Sequence, residues 1–499
     1  METNQIRNTG PLLLVGGDLS GIQKFIYNIS SRKAAVSLKG RSYYLIKLID
    51  QILERFIKWP GIQATAKDVV YSSGGKFYIE TVDTPETRAA IQAFRKEIEK
   101  ELWDKHYGQL SVNIGFVPFS YNADESVNVG DEKNAAYGRL LKAISDKLAQ
   151  QKGTKFKDVI LDEYDKLFEV NQVGGDQKVC AVTGIESDQC VSITDEERNE
   201  SMYVLPSVKE QINLGESLRN IDYFKSFSDL ADGSYLGILR MDVDGLGKVF
   251  ITGFPKKKNY TDFSTKLQQF FEYGPNSNSR LKQLRFQPEY KEYVNIVYAG
   301  GDDVFAVGRW DKLIDFANDL RKSFADYMRK TMNRSDITIS GGIAIVSPKF
   351  PIAKAAEMAG EAEDSAKKFR DSEKNAFNMF GESLSWKDEF DYVENYKNQF
   401  VDLIENFDMS KSILHRIMLY GLKVKGNKQR VLDGKSKDYS YMWHVAYYLT
   451  RFKERYKKQD QIAKFCDDLK INQLSGNERK FELMALAARW AELEEKEYN

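Results

Sequence analysis

Asn295-Ile-Val-Tyr-Ala-Gly-Gly-Asp-Asp-Val-Phe-Ala-Val307 is the stretch that decides how this chain is read. Apolar residues flank Gly300-Gly301-Asp302-Asp303 on both sides, the pattern of two strands joined by a tight hairpin turn. Glycine at 300 and 301 lets the backbone turn sharply and leaves room for a phosphate chain. Asp302 and Asp303 project from the turn, where they are placed to hold Mg²⁺ against that phosphate. Adjacent aspartates repel each other, so a pair on a rigid turn points to a cation. Taken alone, the tetrad also fits a solvated hairpin tip.

A second acidic element upstream shifts the balance. Tyr235-Leu-Gly-Ile-Leu-Arg-Met-Asp-Val-Asp-Gly-Leu-Gly-Lys248 reads as a buried strand ending in Asp242-Val243-Asp244, followed by a turn at Gly245. Palm-type nucleotidyl transferases need an acidic strand of this kind beside an acidic hairpin. Together the carboxylates carry a pair of metal ions that activate the attacking hydroxyl and neutralise the leaving pyrophosphate. Asp242 is expected to face the metals. Asp244 lies on the same strand face by period-two alternation, or instead caps the following segment.

Composition sets the bounds. A chain of 499 residues has room for about three domains. Lys plus Arg and Asp plus Glu number 73 each, for a net charge of zero. A globally basic nucleic-acid binder is thereby excluded, and any RNA contact has to be local. No apolar run approaches a membrane span, and the opening Met-Glu-Thr-Asn-Gln-Ile-Arg carries no signal-peptide pattern. Cys180, Cys190 and Cys466 argue against a disulfide framework and for the cytoplasm. His106, His415 and His444 are dispersed and none precedes an aspartate, which argues against a metal-dependent phosphohydrolase or zinc hydrolase.

Near the start, Pro11-Leu-Leu-Leu-Val15 reads as a strand. A helix follows from about Ile22, capped by Ser20 or Asp18. A second helix, with its start around Lys39-Gly40-Arg41-Ser42, offers backbone N–H groups and positive charge as a phosphate cradle, or is simply a capped helix. Val70-Tyr-Ser-Ser-Gly-Gly-Lys-Phe77 then repeats the strand–glycine pair–strand pattern of the acidic hairpin without its carboxylates. This is a degenerate internal repeat: two related halves, of which only the second is equipped to hold metal. Around Cys180 and Cys190 lies a small Gly-rich insert. A zinc ribbon wants two Cys-x-x-Cys pairs, and with Thr183 and Ile193 at the partner positions zinc is not expected. After the acidic hairpin come a helix over 313–332, a buried strand over 336–346 and a helix over 351–369. The lysines of that last helix, Lys354, Lys367 and Lys368, are within a side chain's reach of a nucleotide phosphate or are merely solvated. Lys256-Lys257-Lys258 is a basic loop with the same two readings. From about 388 to 499 the pattern is helical and proline-free, a separate bundle whose Tyr439–Tyr448 aromatics suggest a docking surface or fill its core.

Taken together, Gly17-Asp-Leu-Ser-Gly-Ile-Gln23, Lys39-Gly-Arg-Ser42, Ser73-Gly-Gly-Lys-Phe77, Asp242-Val-Asp244 and Gly300-Gly-Asp-Asp303 resemble, in that order, the large polymerase–cyclase subunit of type III CRISPR effector complexes. The resemblance covers nearly the whole chain. It implies an α+β fold of two ferredoxin-like palm domains with a small domain between them and a C-terminal helical bundle. The corresponding boundaries are 1–162, 163–225, 226–387 and 388–499. It implies catalysis by Asp302, Asp303 and Asp242, with two Mg²⁺ or Mn²⁺ ions on Asp242, the backbone at Val243, Asp302 and Asp303. It implies nucleotide contacts from Ser20, Gly21, Gln23, Lys39, Arg41, Ser42, Ser73, Gly74, Gly75, Lys76, Asp244, Gly245, Gly300, Gly301, Lys354 and Lys367. The implied reaction turns ATP into cyclic oligoadenylates when guide RNA captures target RNA; some members join AMP to S-adenosylmethionine instead. Implied partners are the other effector subunits, guide and target RNA and, downstream, effector proteins activated by the messenger, with no membrane. The sequence departs from the fuller family pattern in having no His-Asp nuclease pair and only half the zinc cysteines, so intrinsic DNA cleavage is not expected. Two rival readings are a stand-alone diguanylate-cyclase-like enzyme, argued against by the degenerate first half and helical C-terminus, and a non-catalytic scaffold anchoring guide RNA, argued against by the clustered carboxylates.

Overall fold

The computed structural model describes residues 10–30, 32–167, 178–195, 199–222, 224–474 and 477–497. The chain forms two compact units that divide between Glu363 and Asp364.

In the first unit, β1 (Leu12–Ser20) is followed by α1 (Ile22–Tyr27), α2 (Ala34–Ile57), β2 (Val69–Ser73), β3 (Lys76–Val82), α3 (Pro85–His106), β4 (Ser111–Tyr121), β5 (Val127–Val129), β6 (Glu132–Ala135) and α4 (Tyr137–Lys152). The sheet order is β2-β3-β1-β4-β5-β6 with antiparallel pairs throughout. Strand β1 is buried along nearly its whole length, as a central strand covered on both faces must be. Helix α3 starts where its sequence says it should. Thr84 accepts a hydrogen bond from the Thr87 N–H, and Pro85 occupies the first turn.

Short strands β7 (Lys178–Val179), β8 (Glu186–Ser187), β9 (Val191–Asp195) and β10 (Glu200–Val204) form two small ladders. Cys180 is buried and Cys190 half-buried beside them; Asp176 of the same insert lies outside the described residues. Helix α5 (Pro206–Asp222) then crosses α2 at glycines. A Cβ added to Gly40 would stand 1.8 Å from the Gln211 carbonyl oxygen, and one on Gly215 would stand 2.2 Å from that of Val36. Only glycine permits so close a helix approach.

The second half repeats the first. It contains β11 (Leu236–Val243), α6 (Leu246–Thr252), α7 (Lys257–Phe271), β12 (Val294–Gly300), β13 (Asp303–Arg309), α8 (Trp310–Met332), β14 (Ile339–Val346) and α9 (Ile352–Lys367), whose last turn passes into the second unit. Strand order β12-β13-β11-β14 reproduces β2-β3-β1-β4, so each half is a β-α-β-β-α-β ferredoxin-like palm. One buried apolar cluster joins them, running from Leu13, Val15 and Phe77 to Phe305 and Val307.

The second unit opens with the antiparallel hairpin β15 (Ala376–Met379) and β16 (Glu382–Ser385). A π-helical turn (Trp386–Phe390) and, among the described residues, five α-helices follow: α10 (Asp391–Phe407), α11 (Ser412–Leu432), α12 (Ser440–Arg455), α13 (Asp460–Leu474) and α14 (Glu478–Glu497). Trp386 and Trp490 are fully buried in its core. No helix among the described residues is long and apolar enough to cross a membrane.

Candidate active site

Strand register builds the acidic site. Antiparallel pairing of β11 with β13 sets Asp242 directly opposite Asp303, and pairing of β12 with β13 closes the hairpin at Gly300 and Asp303. Asp302 then sits in the turn, where its carbonyl oxygen accepts the Val243 N–H at 3.3 Å. Asp242, Asp302 and Asp303 each offer a carboxylate oxygen, all within 4.8 Å of one another. Among the described residues no other group of three His, Cys, Asp or Glu side chains meets so closely.

The two hairpin glycines have different jobs. Gly301 takes the left-handed backbone conformation at φ 68°, which the turn requires. Gly300 does not; a Cβ there would stand 2.8 Å from the Tyr298 hydroxyl and 3.2 Å from the Gly74 Cα. Gly300 is therefore a close-approach glycine. What approaches is the equivalent turn of the first palm. Gly74 and Gly75, both left-handed at φ 60° and 80°, join β2 to β3. A Cβ on Gly74 would lie 3.4 Å from the backbone of both Gly300 and Gly301. The glycine turns of the two halves meet tip to tip.

Electrostatics at the site call for a cation. Burial raises the Asp303 carboxyl well above the ordinary carboxylate range, helped by its hydrogen bond to Asp242 and by the charges of Asp242, Asp302 and Glu363. Tyr298, buried behind the hairpin, is likewise held far above its ordinary value by burial and then by Asp303 and Asp302. Arg240, two residues before Asp242 on β11, is paired with Glu363 at 3.1 Å. Three acceptor-only carboxylates crowded beyond what their surroundings neutralise fit hard divalent ions.

A cavity of about 260 Å³ opens beside the carboxylates and includes Asp302 in its wall. The first palm contributes Tyr71, Ser73, Gly74 and Lys76. Lys142, Ser145 and Asp146 of α4 form a polar edge, and Leu246, Phe250 and Tyr260 an apolar wall. Of the residues expected from sequence, Ser73, Gly74, Lys76, Gly301 and Asp302 line this cavity, while Gly75, Gly245 and Gly300 do not. Sequence reasoning missed α4, Tyr71, Phe250 and Tyr260, because nothing local marks an aromatic residue that faces a cavity rather than a core.

Other expected residues lie elsewhere or play different parts. Asp244 is not in the carboxylate group. Just past the end of β11, its Oδ2 accepts from the Thr338 and Ser340 hydroxyls at 2.7 and 2.9 Å; Ser340 pairs opposite Asp242, so Asp244 keeps the face that strand alternation gives it but is held by these hydroxyls apart from the carboxylate group. Nor does Asp244 cap α6, whose N-cap is Gly245 at φ 68°. The Lys39–Ser42 stretch is not a helix start: α2 begins at Ala34, so those four residues are mid-helix and their N–H groups are spent internally. Lys39 is buried against Asp222 and donates to the Ile296 carbonyl at 2.8 Å. Arg41, 1% exposed, donates to Gln211 at 3.0 Å and to the Phe25 and Asn28 carbonyls. Both clamp the Gly40 crossing, and because the helix starts at Ala34 no helix N-terminus stands at 39–42 to offer the expected cradle. Ser42 is buried beside them.

Helix α1 does begin at Ile22, but neither Ser20 nor Asp18 caps it; Gly21 at φ 91° is the N-cap. Ser20 instead accepts from Asn113 at 2.7 Å, and Asp18 pairs with Lys152 at 2.6 Å. Gln23 is exposed on α1. Lys354 pairs with Glu357 at 2.7 Å and does not line the cavity. Lys367 is half-buried at the end of α9, past the division into the second unit.

Comparison with known proteins agrees with this geometry. The family profile described as "Cas10/Cmr2, second palm domain" matches residues 235–378, and that described as "Csm1 subunit domain B" matches 11–172. A curated relative from Mycobacterium tuberculosis, named "CRISPR system single-strand-specific deoxyribonuclease Cas10/Csm1 (subtype III-A)", is 27% identical over 72% of this chain and 53% of its own. A relative of the same name from Enterococcus italicus is 28% identical over 77% of this chain and 55% of its own. The chain thus spans about half the length of these relatives. A solved Csm1–Csm4 cassette in complex with cA4 superposes with a TM-score of 0.67 at 19% identity, covering 98% of this chain and 71% of that one. Paired ferredoxin-like palms with an acidic hairpin in the second define the palm-domain polymerase and cyclase class. Within that class, this chain belongs to the Cas10/Csm1 family.

Proposed function

We propose that this protein is an RNA-activated nucleotidyl cyclase that joins ATP into a cyclic oligoadenylate, acting within a type III ribonucleoprotein. The observation that carries this reading is the carboxylate group of Asp242, Asp302 and Asp303, of which Asp302 lines the cavity beside the paired glycine turns. A solved Csm1–Csm4 cassette of similar fold, in complex with cA4, supports a nucleotide-handling role. The family division into a first palm, a small insert, a catalytic palm and a helical bundle belongs to the same proposal.

In this reading Phe250 and Tyr260 pack against the base, while Ser73, Lys76 and Lys142 contact polar atoms of ribose and phosphate. Gly74 and Gly301 line the cavity with backbone and no side chain, so the triphosphate can lie close to both turns. One ATP's 3′-hydroxyl attacks the α-phosphorus of another; the new O–P bond forms as the α–β bridge breaks and pyrophosphate leaves. Mg²⁺ or Mn²⁺ ions held by Asp242, Asp302 and Asp303 would supply hydroxyl activation and charge neutralisation. Asp303 must lose its proton for this, which the charge of a bound cation favours. The 3′–5′ linkage and the ring closure follow from the family resemblance.

Mass spectrometry of products from the assembled complex tests the proposal, given ATP, Mg²⁺ and target RNA, with and without S-adenosylmethionine. Cyclic oligoadenylate made by the native protein and lost in Asp302→Ala/Asp303→Ala is the expected result. An adenylylated S-adenosylmethionine would change the acceptor but keep the site. Native-rate synthesis by the double variant in an intact complex would misplace the site. Binding of Mn²⁺ to the isolated chain, followed by electron paramagnetic resonance and lost in the same variant, checks the metal site without activity.

A further inference from the structure

The helical unit carries a charge that the whole chain does not. Residues 411–458 hold thirteen Lys and Arg against three Asp and Glu, a net of +10, whereas the full sequence is neutral. This segment is α11, α12 and the turns that bound them. Arg455, Lys457 and Lys458, at the end of α12, make no carboxylate ion pair among the described residues.

Helix α12 is amphipathic in an unusual way. One face buries Tyr441, Val445, Leu449 and Phe452 in the bundle. A different face exposes Tyr439, Trp443 and Tyr447, which remain 55, 61 and 61% exposed. Their four-residue spacing puts the rings in one row, about 6 Å of helix rise apart. Arg451 continues the row, its guanidinium carbon 5.5 Å from the Tyr447 ring centre. Large exposed aromatics in a row are not solvated filler, since monomers seldom leave such a patch uncovered.

We propose that this face of α12 binds single-stranded RNA, with bases stacking on Tyr439, Trp443 and Tyr447 and the phosphate backbone tracking the basic end of the helix. Stacking rows beside positive charge are how proteins hold single strands without reading sequence. The high positive charge favours a polyanion over a protein docking by apolar contact alone. A duplex would not offer its base faces to these rings. The surface lies outside the nucleotide site, so it stands whether or not the cyclase reading does.

The full-length chain, titrated into a short fluorescein-labelled single-stranded oligoribonucleotide of mixed sequence, tests the proposal by anisotropy. Trp443→Ala/Tyr447→Ala should weaken binding by about tenfold or more, and Trp443→Phe should restore much of it. Lys457→Glu/Lys458→Glu should weaken binding and flatten its dependence on salt. As a check that needs no variant, 4-thiouridine in the RNA should crosslink to peptides spanning residues 439–458 of the native protein. Unchanged affinity in both double variants would overturn the proposal, as would crosslinks confined to other regions. So would retained RNA binding with loss of a partner subunit from the assembled complex, which would make this a protein interface.

Discussion

At the scale of single residues, Asp303 sets the terms. Its carboxyl is raised by burial, by Asp242 and by Asp302, so the folded protein keeps a proton that the unfolded chain gives up at ordinary carboxylate pH. A group shifted this way favours folding below its unfolded pKa and loses that contribution as pH rises through the folded value. Asp303→Asn should therefore raise the thermal midpoint of the metal-free protein at pH 8 and abolish its further rise on adding Mg²⁺. Differential scanning fluorimetry with and without Mg²⁺ checks both; a variant less stable than the native chain at that pH would refute the crowding argument. His106 supplies the opposite sign. Burial first, then the charges of Lys105 and Arg41, push its imidazole down from 6.5 to about 3, and its Nε2 lies 2.9 Å from the Tyr44 hydroxyl. It stays neutral in the fold while the unfolded chain takes up a proton, so stability falls as pH drops from 6.5 towards about 3. His106→Gln should show a shallower loss of thermal midpoint across that window. An unchanged slope would mean that other groups govern the acid limit.

Single elements show where sequence reading succeeds and where it stops. The acidic hairpin, the acidic strand beside it and the degenerate copy in the first half were legible, because a glycine turn between apolar runs and a run of alternating or buried residues are local patterns. The Lys39–Ser42 stretch was misread because its glycine serves a partner 170 residues away, and only the crossing with α5 shows that Gly40 faces the Gln211 carbonyl. Asp244 was left open for a similar reason: Thr338 and Ser340, which hold it, come from the far end of the palm. Two comparisons follow. Gly40→Ala should destabilise by more than about 2 kcal/mol, since the obstructing atom is backbone. Gly426→Ala, mid-helix on α11 with nothing within 4 Å of the new methyl, should stabilise by about 0.5–1 kcal/mol. Chemical denaturation of both variants measures the contrast, and equal effects would deny the close crossing. Within the hairpin, Gly300→Ala should slow synthesis more than Gly301→Ala. The first drives a methyl against the Tyr298 hydroxyl and Gly74, while the second strains one turn residue but meets nothing closer than 3.5 Å.

At the scale of the whole molecule, the two palms repeat one strand order, and the strand registers show why, among the described residues, the second gathers a carboxylate group and the first does not. In the second palm Asp242 pairs across the ladder with Asp303, and Gly300 with Asp303. In the first palm Asp18 pairs with Lys76, and Ser73 with Lys76. Asp18 thus occupies the place of Asp242, while Lys76 stands where Asp303 would be and Gly75 where Asp302 would be. Asp18 is no longer part of an acidic cluster; Lys152 holds it at 2.6 Å. A carboxylate facing ammonium groups has no need of a cation, so the first palm is expected to support the nucleotide without ions of its own. Restoring one aspartate does not rebuild a centre. Gly75 has φ 80°, and a Cβ there would stand 2.4 Å from the Ile22 Cδ1, so Gly75→Asp pushes the Ile22 side chain aside and strains the left-handed turn that touches Gly300 and Gly301 through Gly74. The variant should bind no more Mn²⁺ than the native chain, counted by electron paramagnetic resonance, and should make less product in the assembled complex. The same titration on Asp302→Ala/Asp303→Ala should leave no tightly bound Mn²⁺ at all. Extra tightly bound ions in Gly75→Asp, or full-rate synthesis despite the strained turn, would show that the two tips act independently and that the first palm has kept its capacity for metal.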